Sequence, residues 1–278
     1  MKNVAKALLV LCLLFGFAVT GYAGGPYGVD KRKVIIEGST TVLPIAQAAA
    51  ETFMRQNQET EIVVRGGGSG VGIASLLDKT CDIANSSRAI KDSELDKAST
   101  NHVDPQAHVV AMDGIVIVVN PANPLSALTK KQVKDIYTGN ISNWKELGGN
   151  DEKIVVVSRD SSSGTFEAFG VLALGGAKVR PDALMQASNQ AVASVVARTP
   201  GAIAYVGLGY ISSEVKALPL EGVMPSKETV LTDKYPLSRP LYMYTNGKPT
   251  GTTRDFLDFI MSTEGQKIVD EQGYVGLK

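Results

Sequence analysis

Val34-Ile35-Ile36-Glu37-Gly38-Ser39-Thr40-Thr41-Val42-Leu43-Pro44 passes from β-branched residues, through one glycine and three hydroxyls, into a stretch that places Leu43, Ala46, Ala50, Phe53 and Met54 on one helical face. Pro44 is tolerated there because it falls in a first helical turn. The segment therefore reads as strand, loop and helix. The same pattern returns in Ile62-Val63-Val64, the loop Gly66-Gly67-Gly68-Ser69-Gly70, and the spacing of Ile73, Leu76 and Leu77. Ile83-Ala84 begins another short strand ending at Ser86-Ser87-Arg88. Alternation of this kind predicts an α/β fold with a mostly parallel sheet covered by helices, its ligands held at the carboxyl ends of the strands.

A third loop of this kind, Arg159-Asp160-Ser161-Ser162-Ser163-Gly164-Thr165, follows the strand-like Ile154 to Val157 and opens onto a helix carrying Phe166 and Phe169. The first N–H groups of a helix lack intrahelical partners and sit at the positive end of its dipole, so they accept an oxyanion. Hydroxyl side chains add further donors, and glycine lets the backbone approach closely. Any one such loop is explained by an ordinary N-cap. Three, the last with an arginine, point to a site for a tetrahedral anion.

The chain begins with Lys2 and Lys6, an apolar run from Ala7 to Val19, and small residues up to Gly24. This reads as a signal peptide over residues 1–23, since the run is too short to span a bilayer. Cys12 falls inside it, and Leu11 before it is too bulky for a lipid-attachment site. Cys81 is then the only cysteine of the mature chain, which must be held by its core rather than by a disulfide. There are 28 basic and 28 acidic residues, and the basic count drops by two when Lys2 and Lys6 leave, so no nucleic-acid or membrane surface is implied. Aromatic residues make up 6% with a single Trp144, which argues against an aromatic-lined sugar cleft.

Gly114 to Val119 followed by Asn120-Pro121-Ala122-Asn123-Pro124 reads as a crossing into a second domain, and Arg239 to Tyr244 as a return. The expected division is 30–118 plus 240–278 for one lobe and 119–239 for the other, with a cleft between them. Pro219 to Pro236 reads as surface loop. Chemistry by turnover has little support. His102 and His108 lie in a polar stretch and read as solvent-facing, no Gly-x-Ser-x-Gly elbow occurs, and neither nucleotide-binding glycine pattern is present. One cysteine and two histidines also make a poor transition-metal cage.

The ordered set formed by Gly38 to Pro44, the Gly66 to Gly72 loop, Cys81-Asp82-Ile83-Ala84-Asn85-Ser86-Ser87-Arg88, Asp113-Gly114-Ile115 with Asn120-Pro121, and the Arg159 to Thr165 loop resembles the phosphate-binding proteins of bacterial high-affinity phosphate ABC importers. The resemblance covers nearly the whole mature chain. It implies a two-lobed periplasmic binding protein fold of type II-like topology, with two crossover strands, closing on one desolvated inorganic phosphate. It further implies a periplasmic monomer that needs no cofactor and delivers its ligand to the membrane subunits of an ABC permease. Carried over by position, the phosphate contacts fall on Ser39, Thr40, Thr41, Ser69, Ser87, Arg88, Arg159, Ser163, Gly164 and Thr165.

One position departs from the pattern. Many relatives carry an aspartate where this chain has Ser87, and a serine accepts a ligand proton without repelling a fully ionised anion. Arg88 either reaches the ligand or pairs with a carboxylate at the cleft. Asp113 is either a substitute acceptor or a partner for Arg88. The sequence alone thus leaves open an exported binder of sulfate or molybdate, and a phosphate sensor.

Overall fold

The computed structural model describes residues 32–278, so the expected leader over 1–23 lies outside the described residues. The chain runs β1 (Arg32–Gly38), α1 (Leu43–Gln56), β2 (Thr60–Gly66), α2 (Ser69–Leu77), β3 (Ile83–Ser86), α3 (Asp92–Thr100) and then the long β4 (Pro105–Val119). It continues with α4 (Lys130–Thr138), β5 (Val155–Arg159), α5 (Gly164–Leu172), β6 (Leu184–Gln186), α6 (Asn189–Arg198) and β7 (Ala202–Gly207). The last elements are β8 (Lys216–Ala217), α7 (Lys227–Leu231), β9 (Ser238–Asn246), α8 (Gly251–Ile260) and α9 (Thr263–Glu271).

These strands align in the order β2-β1-β3-β9-β4-β7-β5-β6, with β8 also paired to β4. The outer pairs β1–β2, β1–β3, β5–β6 and β5–β7 are parallel, as helical crossovers require. The central pairs are antiparallel, because β4 and β9 run through the middle in opposite directions. β4 changes neighbour along its length. Its residues 105–114 pair with β9 and residues 115–119 with β7.

Hydrophobic burial follows that exchange. Val34, Ile36, Ile45, Phe53, Val110, Leu241, Phe256 and Val269 share one core, and Ile73, Leu76, Leu77, Ala98 and Tyr244 cover the sheet with a second cluster. Residues 115–119 pack instead with Val133, Ile136, Tyr137, Val157, Phe169, Val192 and Tyr205. Within this group the rings of Phe169 and Tyr205 stack with centroids 3.9 Å apart. Full burial of rings of this size contributes about 2–3 kcal/mol each before packing geometry is counted. The Tyr205 hydroxyl also meets Ser158 Oγ at 2.9 Å and accepts from the Arg159 amide at 3.3 Å, which fixes the end of β5.

Two local expectations are corrected. Residues 219–236 stay largely at the surface but are not loop throughout. Ser226 caps α7 in reciprocal bonds with Thr229, Leu220 and Val230 are buried, and the buried Tyr235 donates its hydroxyl to the Ile115 carbonyl at 3.0 Å. His108 is half-buried within β4, with Nε2 3.0 Å from Thr245 Oγ1, rather than solvent-facing. Among the described residues, no helix is long and apolar enough to cross a membrane.

Candidate functional site: an oxyanion cradle

The carboxyl ends of β1, β2, β3 and β5 deliver the predicted loops to one place. At the end of β1, Gly38 has φ +134°, and a Cβ there would collide with the Asn85 carbonyl, so only glycine allows the turn into Ser39. The Ser39 amide donates to that carbonyl at 2.8 Å. Its hydroxyl oxygen accepts from the amides of Thr41 and Val42 at 3.1 and 3.4 Å, satisfying orphan donors at the start of α1. Ser69 opens α2 with no exposed surface, and its Oγ accepts from the Ser87 amide at 3.0 Å. The Ser69 and Ser87 hydroxyls lie 3.3 Å apart.

Across from them stands α5. Ser163 caps it by accepting from the Phe166 amide at 3.2 Å, and Thr165 Oγ1 lies 3.0 Å from Thr41 Oγ1. At Gly164 a Cβ would run into the hydroxyls of Ser69 and Ser87, so the helix start can approach them only as glycine. The facing loops also bond directly, with the Gly70 amide donating to the Ser162 carbonyl at 2.9 Å, and Ser162 Oγ lies 2.9 Å from the Gly67 carbonyl, its one proton shared between that carbonyl and Asp160 Oδ1. Ser39, Thr40, Thr41, Ser69, Ser87, Arg159, Ser163 and Thr165 are all buried.

Arg159 is 1% exposed. Its Nε donates to the Gln186 carbonyl at 3.0 Å and its Nη2 to the Ala187 carbonyl at 2.9 Å, while Nη1 is buried without a protein partner. Asp160 does not neutralise it by contact. That carboxylate accepts from the amide and hydroxyl of Ser162 at 2.9 and 2.6 Å. Burial lowers the guanidinium's proton affinity, Asp160 offsets part of the effect, and Arg239 adds to it by like-charge repulsion. A buried cation with one free edge, beside a serine-led helix start, is suited to a charge-assisted bond with an anion.

Arg88 is not brought into this cluster. Its Nη1 and Nη2 donate to Glu94 at 2.8 and 2.7 Å, and its Nε closes an ion pair with Glu167 at 2.8 Å at an angle poor for a hydrogen bond. Of the two readings left by the sequence, the carboxylate partner is the one adopted, although the partners are Glu94 and Glu167 rather than Asp113. Asp113 is fully buried, with both of its oxygens engaged by protein donors. Its Oδ2 accepts from Nε and Nη2 of Arg239 at 3.0 and 2.8 Å, and its Oδ1 from the Leu208 amide at 2.8 Å. Burial pushes its carboxyl pKa up, with Arg239 and the Leu208 amide working the other way.

Three participants were missed in the sequence. Asn189 donates to Thr40 Oγ1 and Thr41 Oγ1 at 3.1 Å each. Tyr210 donates its hydroxyl to the Thr40 carbonyl at 2.6 Å. Arg239 reaches Thr165 Oγ1 at 3.0 Å. A signal existed for two of them: Ser188-Asn189 opens an apolar helix pattern, and Arg239 is the lone charge of its strand, next to the apolar Pro240-Leu241.

Known proteins fit this geometry. Residues 25–264 match the PBP superfamily domain. The phosphate-binding protein PstS of Bacillus subtilis is 35% identical over 287 residues, covering 96% of this chain and 93% of that one. The chain belongs to the PBP superfamily, in the family of the PstS phosphate-binding proteins. Another member of that family, PstS of Borreliella burgdorferi, is 34% identical over 90% of this chain and 92% of its own length. A Clostridium perfringens protein described as a phosphate ABC transporter substrate-binding protein with bound phosphate superposes with a TM-score of 0.83 at 35% identity, over 89% of this chain and all of that one. Together these similarities support the two-lobed α/β fold of the family.

Proposed function

We propose that this chain is an exported receptor that captures inorganic phosphate between its two lobes and passes it to an ABC permease, working as a monomer without turnover. The observation that carries the reading is Arg159, a buried guanidinium held by two carbonyls with its Nη1 buried and unpartnered, at the end of β5 where the loop that leads into α5 begins. Arg159 and Arg239 against Asp113 leave one net positive charge in a buried site ringed by hydroxyls and amides, a composition matched to hydrogenphosphate. Ser39, Thr40, Ser69, Ser87, Ser163, Gly164 and Thr165 would supply the remaining donors, while Thr41 lines the site with its amide given to Ser39 and its hydroxyl against Thr165. Arg88 is withdrawn from the contact set in favour of its carboxylates. Neutral dipoles solvate the anion without full counter-charge, which keeps release easy when the lobes part.

The packing supports a division in which β4 exchanges lobes near residues 112–114 and β9 near 238–239, earlier on β4 than the expected boundary after 118. Opening would then turn on these two neighbouring strands. Export rests on the leader-like start of the sequence and on the likeness to PstS proteins. Isothermal titration of the purified, ligand-stripped chain tests the assignment. Saturable binding of phosphate at micromolar concentration or below is expected, and tight binding of sulfate or molybdate with none of phosphate overturns it.

A further inference from the structure

Arg239 sits where both crossing strands and both facing loops meet. It is 5% exposed, with the fully buried Asp113 as its counter-ion. Beyond that pair, its Nη1 donates to the Ser87 carbonyl at 3.0 Å, and its Nη2 reaches Thr165 Oγ1 at 3.0 Å and Thr41 Oγ1 at 3.5 Å. Because Asp113 cancels its charge, the contribution of Arg239 to a bound anion is not chiefly one of attraction.

Its effect runs through hydroxyl protons. A hydroxyl oxygen offers two lone pairs and one proton. Arg239 Nη2 gives one hydrogen to Asp113 and shares the other between Thr165 Oγ1 and Thr41 Oγ1, and Thr41 Oγ1 alone receives a further N–H, from Asn189 Nδ2 at 3.1 Å. The Asn189 amide cannot be turned round, because its Oδ1 accepts from the Gly207 amide at 3.1 Å. Because Thr41 is thus the better supplied with donors, the 3.0 Å contact between Thr41 and Thr165 uses the Thr41 proton. Thr165 Oγ1 then accepts from Thr41 and from Arg239, so its own proton is directed to neither. The opposite wall of the cradle is not fixed in this way. Ser69 Oγ takes one N–H from Ser87, and the 3.3 Å contact between the two hydroxyls can run in either direction.

We propose that Arg239 is a positioning residue for the bound oxyanion: it holds the Thr41–Thr165 hydroxyl relay in the one polarity that makes Thr165 an obligate donor at the start of α5. This rests on the reading above that the anion lies at that helix start. Adaptation to the ligand's own proton is thereby left to the Ser69–Ser87 pair.

A mutant cycle read by phosphate calorimetry separates positioning from structural support. Asp113→Asn/Arg239→Gln removes the relay's anchor without stranding a buried charge, and its thermal midpoint reports folding. That double variant is expected to bind phosphate about 30-fold more weakly than the parent, and Thr165→Val alone about 10-fold or more. The decisive reading is the triple variant: Thr165→Val should add less than about threefold in the double-variant background, because the donor is no longer held. Equal cost of Thr165→Val in both backgrounds, or a double variant within about threefold of the parent, overturns the proposal. If the double variant does not fold, the same cycle is run on Arg239→Lys, which keeps an ion pair with Asp113 but lacks the second guanidinium nitrogen that reaches both threonines. A parent that binds sulfate or molybdate but not phosphate overturns the phosphate assignment alone, and the cycle is then read with that anion. A parent that binds no oxyanion overturns both.

Discussion

Glu167 Oε2 lies 2.8 Å from Arg88 Nε and 2.8 Å from Lys91 Nζ, so one carboxylate on α5 holds two cations that follow Ser87 on the facing loop. Glu94 completes the cluster through both of its oxygens on Arg88, and its carboxyl is held below the usual range by that guanidinium despite partial burial. The cluster bridges the two sides of the cleft just outside the cradle. Glu167→Gln should therefore weaken the closed form, lowering phosphate affinity by about fivefold, equivalent to about 1 kcal/mol, mostly through faster release. Stopped-flow dissociation at two salt concentrations checks this. The parent's release should quicken with salt and the variant's should not.

Arg159→Met removes a charge-assisted donor from a desolvated site. Phosphate affinity should fall by about 30- to 5,000-fold, corresponding to about 2–5 kcal/mol. The Gln186 and Ala187 carbonyls lose a donor as well, so a stability loss of about 1–2 kcal/mol should accompany it without loss of fold. Calorimetry and thermal melting report the two effects separately, and binding within a few-fold of the parent would remove Arg159 from the site.

On the proposed reading, in which Ser87 takes the proton-accepting position, selectivity between oxyanions should be modest, because both Asp113 oxygens are engaged by Arg239 and the Leu208 amide. Asp113→Asn should alter affinity for phosphate and sulfate together, changing their ratio by less than about threefold. Ser87→Asp places a carboxylate where a fully ionised anion is repelled and should raise that ratio by about tenfold or more. Competition by sulfate at fixed phosphate measures both.

His108 gives the chain a pH dependence away from the site. Burial lowers its pKa below the ordinary 6.5, so the unfolded chain takes up the proton first as pH falls. Its stabilising contribution is complete above pH 6.5 and is lost as pH drops through that value towards the lower folded pKa. The thermal midpoint should decline over this window, and His108→Gln, which can still reach Thr245, should flatten the decline. An unchanged profile in the variant would assign the dependence to other groups.

The cradle was legible because its donors are local in sequence: a strand end, a glycine or serine turn and a helix start are adjacent, and each is marked by composition. Ser39, Ser69, Ser163 and the Arg159 loop were found on that basis. What governs the hydroxyls was not legible, because it arrives from far along the chain. Asn189 meets a threonine 148 residues away, and Arg239 meets one 198 residues away. Arg88 shows the same limit. Its neighbour Ser87 faces the cradle, yet its own direction is decided by Glu94 six residues along and by Glu167 on a distant helix. Pro219 to Pro236 was misread because prolines and charges mask a capped helix and a buried tyrosine whose partner lies on β4.

The amide of Gly70 is donated across the cleft to Ser162, whereas the β4–β9 ladder is internal to the strands on which the lobes would turn. Deuterium uptake should therefore run on two clocks. The Gly70 amide exchanges each time the loops separate, at a rate that phosphate suppresses, while the ladder exchanges only when the strands themselves come apart. A single backbone position thus meters opening, residue-resolved and without any attached label.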